Sequence, residues 1–184
     1  MRDRMTTRRT GLVTSGGSPV TLLGDPVEIG DRAPDFRCDR FDADLDGPAP
    51  ITLADTPATT RLFSVVPSVD TSVCALQTAR FAREVAALGE RVAAYTVSVD
   101  TPYALQRFHD GEGLGRMTMI SDYRPARSFG LAYGVLMEED GELARAVFVV
   151  DAGGVVRHAA LAPDTWEHPD YDAALAVLRE LAAG

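Results

Sequence analysis

An apolar strand run, Leu62-Phe63-Ser64-Val65-Val66, is followed after one short connection by a helix-like stretch over 75–88, and then by a second strand run over 92–99. This order most constrains the fold. Phe81, Val85 and Leu88 recur at i, i+4 and i+7, one face of a helix. The run 92–99 is apolar enough to lie in the centre of a sheet. Thr101-Pro102 opens a further helix, with Thr as N-cap and Pro at its first position, running to about His109 and stopping at Asp110-Gly111. Residues 117–120 make a short strand. Asp122 is placed to cap a helix over 124–129. Strand runs over 146–150 and 155–161 flank an Asp151-Ala152-Gly153-Gly154 turn. Tyr171, Ala174, Leu175, Leu178 and Leu181 line one face of a last helix. The order β-α-β-α-β-β-α predicts an α/β layered domain with a central mixed sheet.

Upstream, Leu12-Val13-Thr14, a Gly16-Gly17 turn and Val20-Thr21-Leu22 read as an N-terminal β-hairpin. Gly30-Asp31-Arg32-Ala33-Pro34-Asp35-Phe36 leads into a third strand through Cys38, and 42–50 reads as an acidic loop. Residues 1–10 are polar and read as a disordered tail before one domain over 11–184. Arg8-Arg9 matches the arginine pair of a twin-arginine export signal, yet the apolar h-region of about 7–15 residues is absent.

Composition narrows the function. The net charge of −9 argues against non-specific nucleic-acid binding and against docking on anionic lipid. Every basic residue is Arg, which excludes a Schiff-base or phosphate-binding lysine. No apolar run approaches the roughly 18 residues of a membrane span. Two cysteines, Cys38 and Cys74, do not make a disulfide scaffold and fit a reducing cytoplasm. Asp42-Ala43-Asp44-Leu45-Asp46-Gly47 mimics the start of a calcium loop, but its twelfth position is Leu53 rather than Glu. Gly111-Glu112-Gly113-Leu114-Gly115 lacks the context of a dinucleotide fingerprint. His109, His158 and His168 are scattered and give no zinc spacing. No cofactor or metal is expected.

The chemistry concentrates at Pro67-Ser68-Val69-Asp70-Thr71-Ser72-Val73-Cys74. Cys74 falls in the first turn of a helix, just past a strand. Backbone N–H groups there lack helix partners and the dipole is positive, which favours the reactive thiolate. Stepping back seven from Phe81 reaches Cys74, so the thiol is expected on the core-facing side, partly shielded. Thr71 stands three residues before it, and Pro67 stiffens the loop at the strand exit.

Pro-x-x-x-Thr-x-x-Cys in this strand-to-helix setting resembles the active-site motif of the peroxiredoxins, and the full run resembles their bacterial thiol peroxidase branch. Pro19-Val20-Thr21-Leu22-Leu23-Gly24 is similar to that branch's hairpin. Leu143-Ala144-Arg145-Ala146-Val147-Phe148-Val149-Val150-Asp151 is similar to its arginine-bearing strand, and Pro169-Asp170-Tyr171-Asp172-Ala173-Ala174-Leu175 to its last helix. The resemblance implies a thioredoxin fold, a homodimer and reduction of hydrogen peroxide and organic hydroperoxides. It implies Cys74 as nucleophile, Arg145 as cationic donor, Thr71 as orienting hydroxyl and Pro67 as shield. In that branch a resolving cysteine lies on the helix after the next strand; here His109 occupies that place. Recycling by thioredoxin or another external thiol is therefore expected. A redox sensor using the same cysteine without sustained turnover is the alternative. Cys38, which shares strand parity with Phe36, is expected on the buried face as a packed thiol.

Overall fold

The computed structural model describes residues 6–184. Its main sheet has seven strands in the order β10-β9-β5-β6-β7-β3-β4. These are β3 (Arg37–Asp42), β4 (Gly47–Thr52), β5 (Thr60–Val65), β6 (Val92–Ser98), β7 (Thr118–Ser121), β9 (Ala146–Val150) and β10 (Val156–Leu161). β5, β6 and β7 run parallel, while β9, β10, β3 and β4 join antiparallel, so the sheet is mixed. A second, three-stranded sheet holds β1 (Arg8–Ser15), β2 (Ser18–Leu23) and β8 (Leu136–Met137). The helices are α1 (Ser72–Ala86), α2 (Pro102–Glu112), α3 (Ser128–Ala132) and α4 (Tyr171–Ala183).

The sheet divides the core in two. Side chains alternate between faces along a strand, and β5 shows it: Phe63 and Val65 pack into one cluster, Leu62 into the other. The first cluster gathers Cys38, Phe129 and Tyr133 with Val13, Val20 and Leu22 of the hairpin. The second gathers Cys74, Phe81 and Val85 of α1, Leu105 of α2, and Leu175 and Leu178 of α4. Thus α1, α2 and α4 cover one face, and α3 with the hairpin covers the other.

Several expected boundaries move, each for a local reason. Arg8, Arg9 and Thr10, assigned to a disordered tail, belong to β1. Arg9 earns an ordered place because its guanidinium donates to the carbonyls of Gly24 and Gly134. The first five residues of that tail lie outside the described residues. The acidic loop shortens, because residues 47–52 form β4 despite Pro48 and Pro50. β4 is the last strand of its sheet, so its prolines need donate to no outer neighbour. Helix α1 ends at Ala86 and not at Leu88, just before Gly89 takes a left-handed φ of 62°. Helix α2 runs past Asp110-Gly111 to Glu112, and Gly113 caps it at φ 60°. Thr101 does cap α2, accepting from the Ala104 amide, with Pro102 at its first position.

The helix expected over 124–129 begins instead at Ser128. Pro125 disfavours helical backbone at Arg124, and Arg127 takes a left-handed φ of 44°. Asp122 turns inward, and its Oδ2 accepts the Gly130 amide at 2.8 Å.

Phe63 is wholly buried and packs against Phe36, Tyr95, Phe129 and Tyr133. Truncating it removes the centre of that aromatic cluster. Phe63→Ala should cost about 3–5 kcal/mol, read as a lower denaturant midpoint with an unchanged slope.

Candidate active site

β5 ends at Val65, and the chain leaves the sheet through buried Pro67. The turn that follows is held by Asp100, just past the end of the neighbouring β6. Its carboxylate accepts the Ser68 hydroxyl at 2.8 Å, the Val69 amide at 2.8 Å and the Ser98 hydroxyl at 2.7 Å. The turn thus delivers Thr71 as the N-cap of α1. The Thr71 hydroxyl donates to the Ser68 carbonyl at 3.2 Å. Cys74 sits at the third helical position, on the stripe that continues through Gln77, Thr78, Phe81 and Val85.

The sulfur is fully buried, with 0% exposure, which goes beyond the partial shielding its helix face predicts. The reason is the neighbour across the sheet. Arg145, immediately before β9, is itself 1% exposed and lays its guanidinium over the thiol. Nη2 donates to Cys74 Sγ at 3.3 Å. The same nitrogen and Nε donate to the Thr165 carbonyl at 2.6 and 3.0 Å, and Nη1 donates to Gln77 Oε1 at 2.8 Å. Gln77 Nε2 in turn donates to the Ser64 hydroxyl at 2.8 Å, which fixes its amide orientation. The result is a continuous polar chain through the apolar core: Ser64, Gln77, Arg145, Cys74.

A cleft of about 390 Å³ opens beside this network. Pro67, Thr71, Val73 and Arg145 line it, together with Glu142 and Trp166. Burial and the nearby Asp140 and Asp100 raise the pKa of Glu142. The four residues expected from the motif, Pro67, Thr71, Cys74 and Arg145, therefore converge.

Three partners were not read from the sequence. Gln77 had a signal, since a polar residue three positions from Cys74 falls on the core-facing stripe. The Thr165 carbonyl had none, because a backbone acceptor leaves no mark on residue identity. Asp100 had a faint one, a carboxylate at a strand end beside a helix cap.

Cys38 and His109 stand elsewhere. Cys38 is 2% exposed and lies on the opposite face of the sheet from Cys74. Its thiol donates to Asp122 Oδ1 at 3.3 Å. Burial first, then the Asp122 carboxylate, push its pKa far upward. His109 lies in the last turn of α2, its Nδ1 3.2 Å from Asp110 and its Nε2 3.2 Å from the Gly115 carbonyl. It closes a helix end, the place its sequence position indicates.

Comparison with known proteins agrees with this geometry. The redoxin family matches residues 28–175. The chain belongs to that family. A thiol peroxidase of Halalkalibacterium halodurans is 44% identical over 163 residues, covering 89% of this chain and 94% of that one. Among solved structures, a peroxiredoxin-like protein from Aquifex aeolicus superposes with a TM-score of 0.82 at 34% identity, covering 94% of this chain and 99% of that one. A thiol peroxidase from Chromobacterium violaceum gives a TM-score of 0.78 at 26% identity, covering 91% and 95%. Two of these three relatives are thiol peroxidases, and the thioredoxin fold expected from the motif is the fold found.

Two outcomes follow from these contacts. Gln77→Leu strips a buried guanidinium N–H of its acceptor and should cost roughly 1–3 kcal/mol of stability, measured by urea unfolding. Iodoacetamide at neutral pH should leave Cys38 unmodified in the native protein and label it after unfolding, as peptide mass mapping would show.

Proposed function

We infer that this protein is a thiol peroxidase that reduces hydrogen peroxide and organic hydroperoxides at Cys74. The observation that carries the reading is the buried guanidinium of Arg145, which lines a cleft and donates to Cys74 Sγ. A permanent cation with several N–H groups suits both an anionic sulfur and the oxygen that becomes anionic as a peroxide breaks.

The reaction proceeds by attack of the Cys74 thiolate on the terminal oxygen of the hydroperoxide. An S–O bond forms as the O–O bond breaks. Sulfur is oxidised to a sulfenic acid, and the other oxygen leaves with the bonding pair and takes a proton to become an alcohol or water. Arg145 steadies the charge on the oxygens. Thr71 donates its hydroxyl proton to Ser68, which leaves its lone pairs free to accept the peroxide O–H. Pro67 walls off solvent.

Recycling is external. A thiol attacks the sulfenic sulfur and displaces water to give a mixed disulfide; a second thiol then attacks the external sulfur of that disulfide, releasing the Cys74 thiol and leaving the two external sulfurs joined as a disulfide. Thioredoxin or another thiol reductant fills this role, and His109 at the usual resolver position supports it. The same reading takes the protein as a cytoplasmic homodimer with one redox cysteine per chain. No helix among the described residues is long and apolar enough to cross a membrane.

Cys74→Ser should abolish peroxide consumption. Arg145→Ala should slow Cys74 oxidation about a hundredfold, the scale of one lost transition-state donor, in stopped-flow measurements. One equivalent of peroxide should add a single oxygen by intact mass; a Cys38–Cys74 disulfide in most molecules would refute the one-cysteine reading.

A further inference from the structure

The Asp164 carboxylate is exposed enough to be solvated, yet it is crowded with donors from two separate parts of the chain. It accepts the Thr14 hydroxyl at 2.6 Å, from the end of β1, and the Gly17 amide at 2.8 Å and the Gly16 amide at 3.1 Å, from the hairpin turn that follows. It also accepts the Trp166 amide at 2.8 Å, from its own loop. Those bonds, the Thr14 hydroxyl foremost, hold its pKa down to about 2, so the charge persists across the working range. Backbone bonds reinforce the junction: the Thr14 amide donates to the Pro163 carbonyl, and the Thr165 amide donates to the Thr14 carbonyl, each at 2.9 Å. The junction is close fitting. A Cβ on Gly16 would stand 2.9 Å from the Trp166 ring.

The residue between Asp164 and Trp166 is Thr165, 3% exposed, whose carbonyl receives two of the four hydrogen bonds of Arg145. That carbonyl is a backbone group on a loop, outside any helix or strand. Only what pins the loop sets where it points. We propose that Asp164 is a positioning residue for peroxide reduction: by clamping the hairpin turn to the 163–166 loop, it fixes the Thr165 carbonyl and, through it, the guanidinium of Arg145 over Cys74. The carboxylate touches neither sulfur nor peroxide. Its influence passes through one carbonyl and one guanidinium, and so depends on Arg145 being present.

This inference rests on Cys74 being the peroxide-reducing cysteine, and a mutant cycle separates the two claims. The rate of Cys74 oxidation by hydrogen peroxide is measured for wild type, Asp164→Asn, Arg145→Ala and the double variant. Asp164→Asn keeps the size of the side chain but replaces one acceptor oxygen by a donor. It should slow oxidation about 10- to 100-fold, the range for misplacing a catalytic group by up to about 1 Å. In the Arg145→Ala background the same change should alter the rate by no more than about twofold, because two residues acting through one path are not additive. A structural loosening would lower both rates alike. Thr14→Val, which removes the shortest of the four donors, should move in the same direction by less and serves in the cycle if Asp164→Asn shows no cooperative unfolding transition. Asp164→Asn within about twofold of wild type, or an equal loss in both backgrounds, would overturn the positioning role while leaving the peroxidase intact. A wild type that consumes no peroxide would overturn both.

Discussion

A guanidinium enclosed in an apolar core is the constraint around which this molecule is arranged. An uncompensated buried cation is costly, and proteins tolerate one where its N–H groups find acceptors. Arg145 has four hydrogen bonds, to a carbonyl, an amide oxygen and a sulfur, and none of these acceptors is a carboxylate. The cation is therefore bonded to dipoles and left without a carboxylate counter-charge; in the proposed reaction the attacking thiolate supplies one. A carboxylate in the place of Gln77 would fill that role permanently and compete with the sulfur and with an incoming peroxide. The neutral amide satisfies the nitrogen and leaves the charge available.

The network around Arg145 draws on three separate parts of the chain. Cys74 and Gln77 come from the start of α1, Thr165 from the loop after β10, and Arg145 from the head of β9. The mixed sheet is what brings them together, because β9 pairs directly with β5, whose exit feeds α1. Register matters here. Val65 faces Ala146 across the β5–β9 ladder, so the residue after β5 and the residue before β9 meet at the same end of the sheet. A slip of one residue would turn Arg145 to the other face.

Much of this was legible in the sequence because it is carried by residue type. The strand–turn–helix order, the Thr-Pro start of α2 and the four motif residues all announce themselves chemically. What escaped was set by context. Pro48 and Pro50 argue against a strand until β4 is known to lie at an edge. Asp122 resembles a helix cap, yet it is drawn inward by the Gly130 amide and the Cys38 thiol. The complete burial of Cys74 depends on Arg145, seventy-one positions away, and no periodicity reports on that.

The division of the core by the sheet also bears on how Cys74 is reset. Cys38 lies on the far side of a layer of paired strands, its thiol engaged by Asp122. Joining it to Cys74 would require the sheet itself to open, the most protected part of such a fold. In the proposed reaction an incoming thiol approaches instead from the cleft of about 390 Å³ that Arg145 lines, and the sulfur bonded to that arginine is fully buried. The turn ahead of α1 is held by Asp100 through Ser68 and Val69, so in the proposed reaction an external thiol has to reach a sulfur that those hydrogen bonds help to set in place.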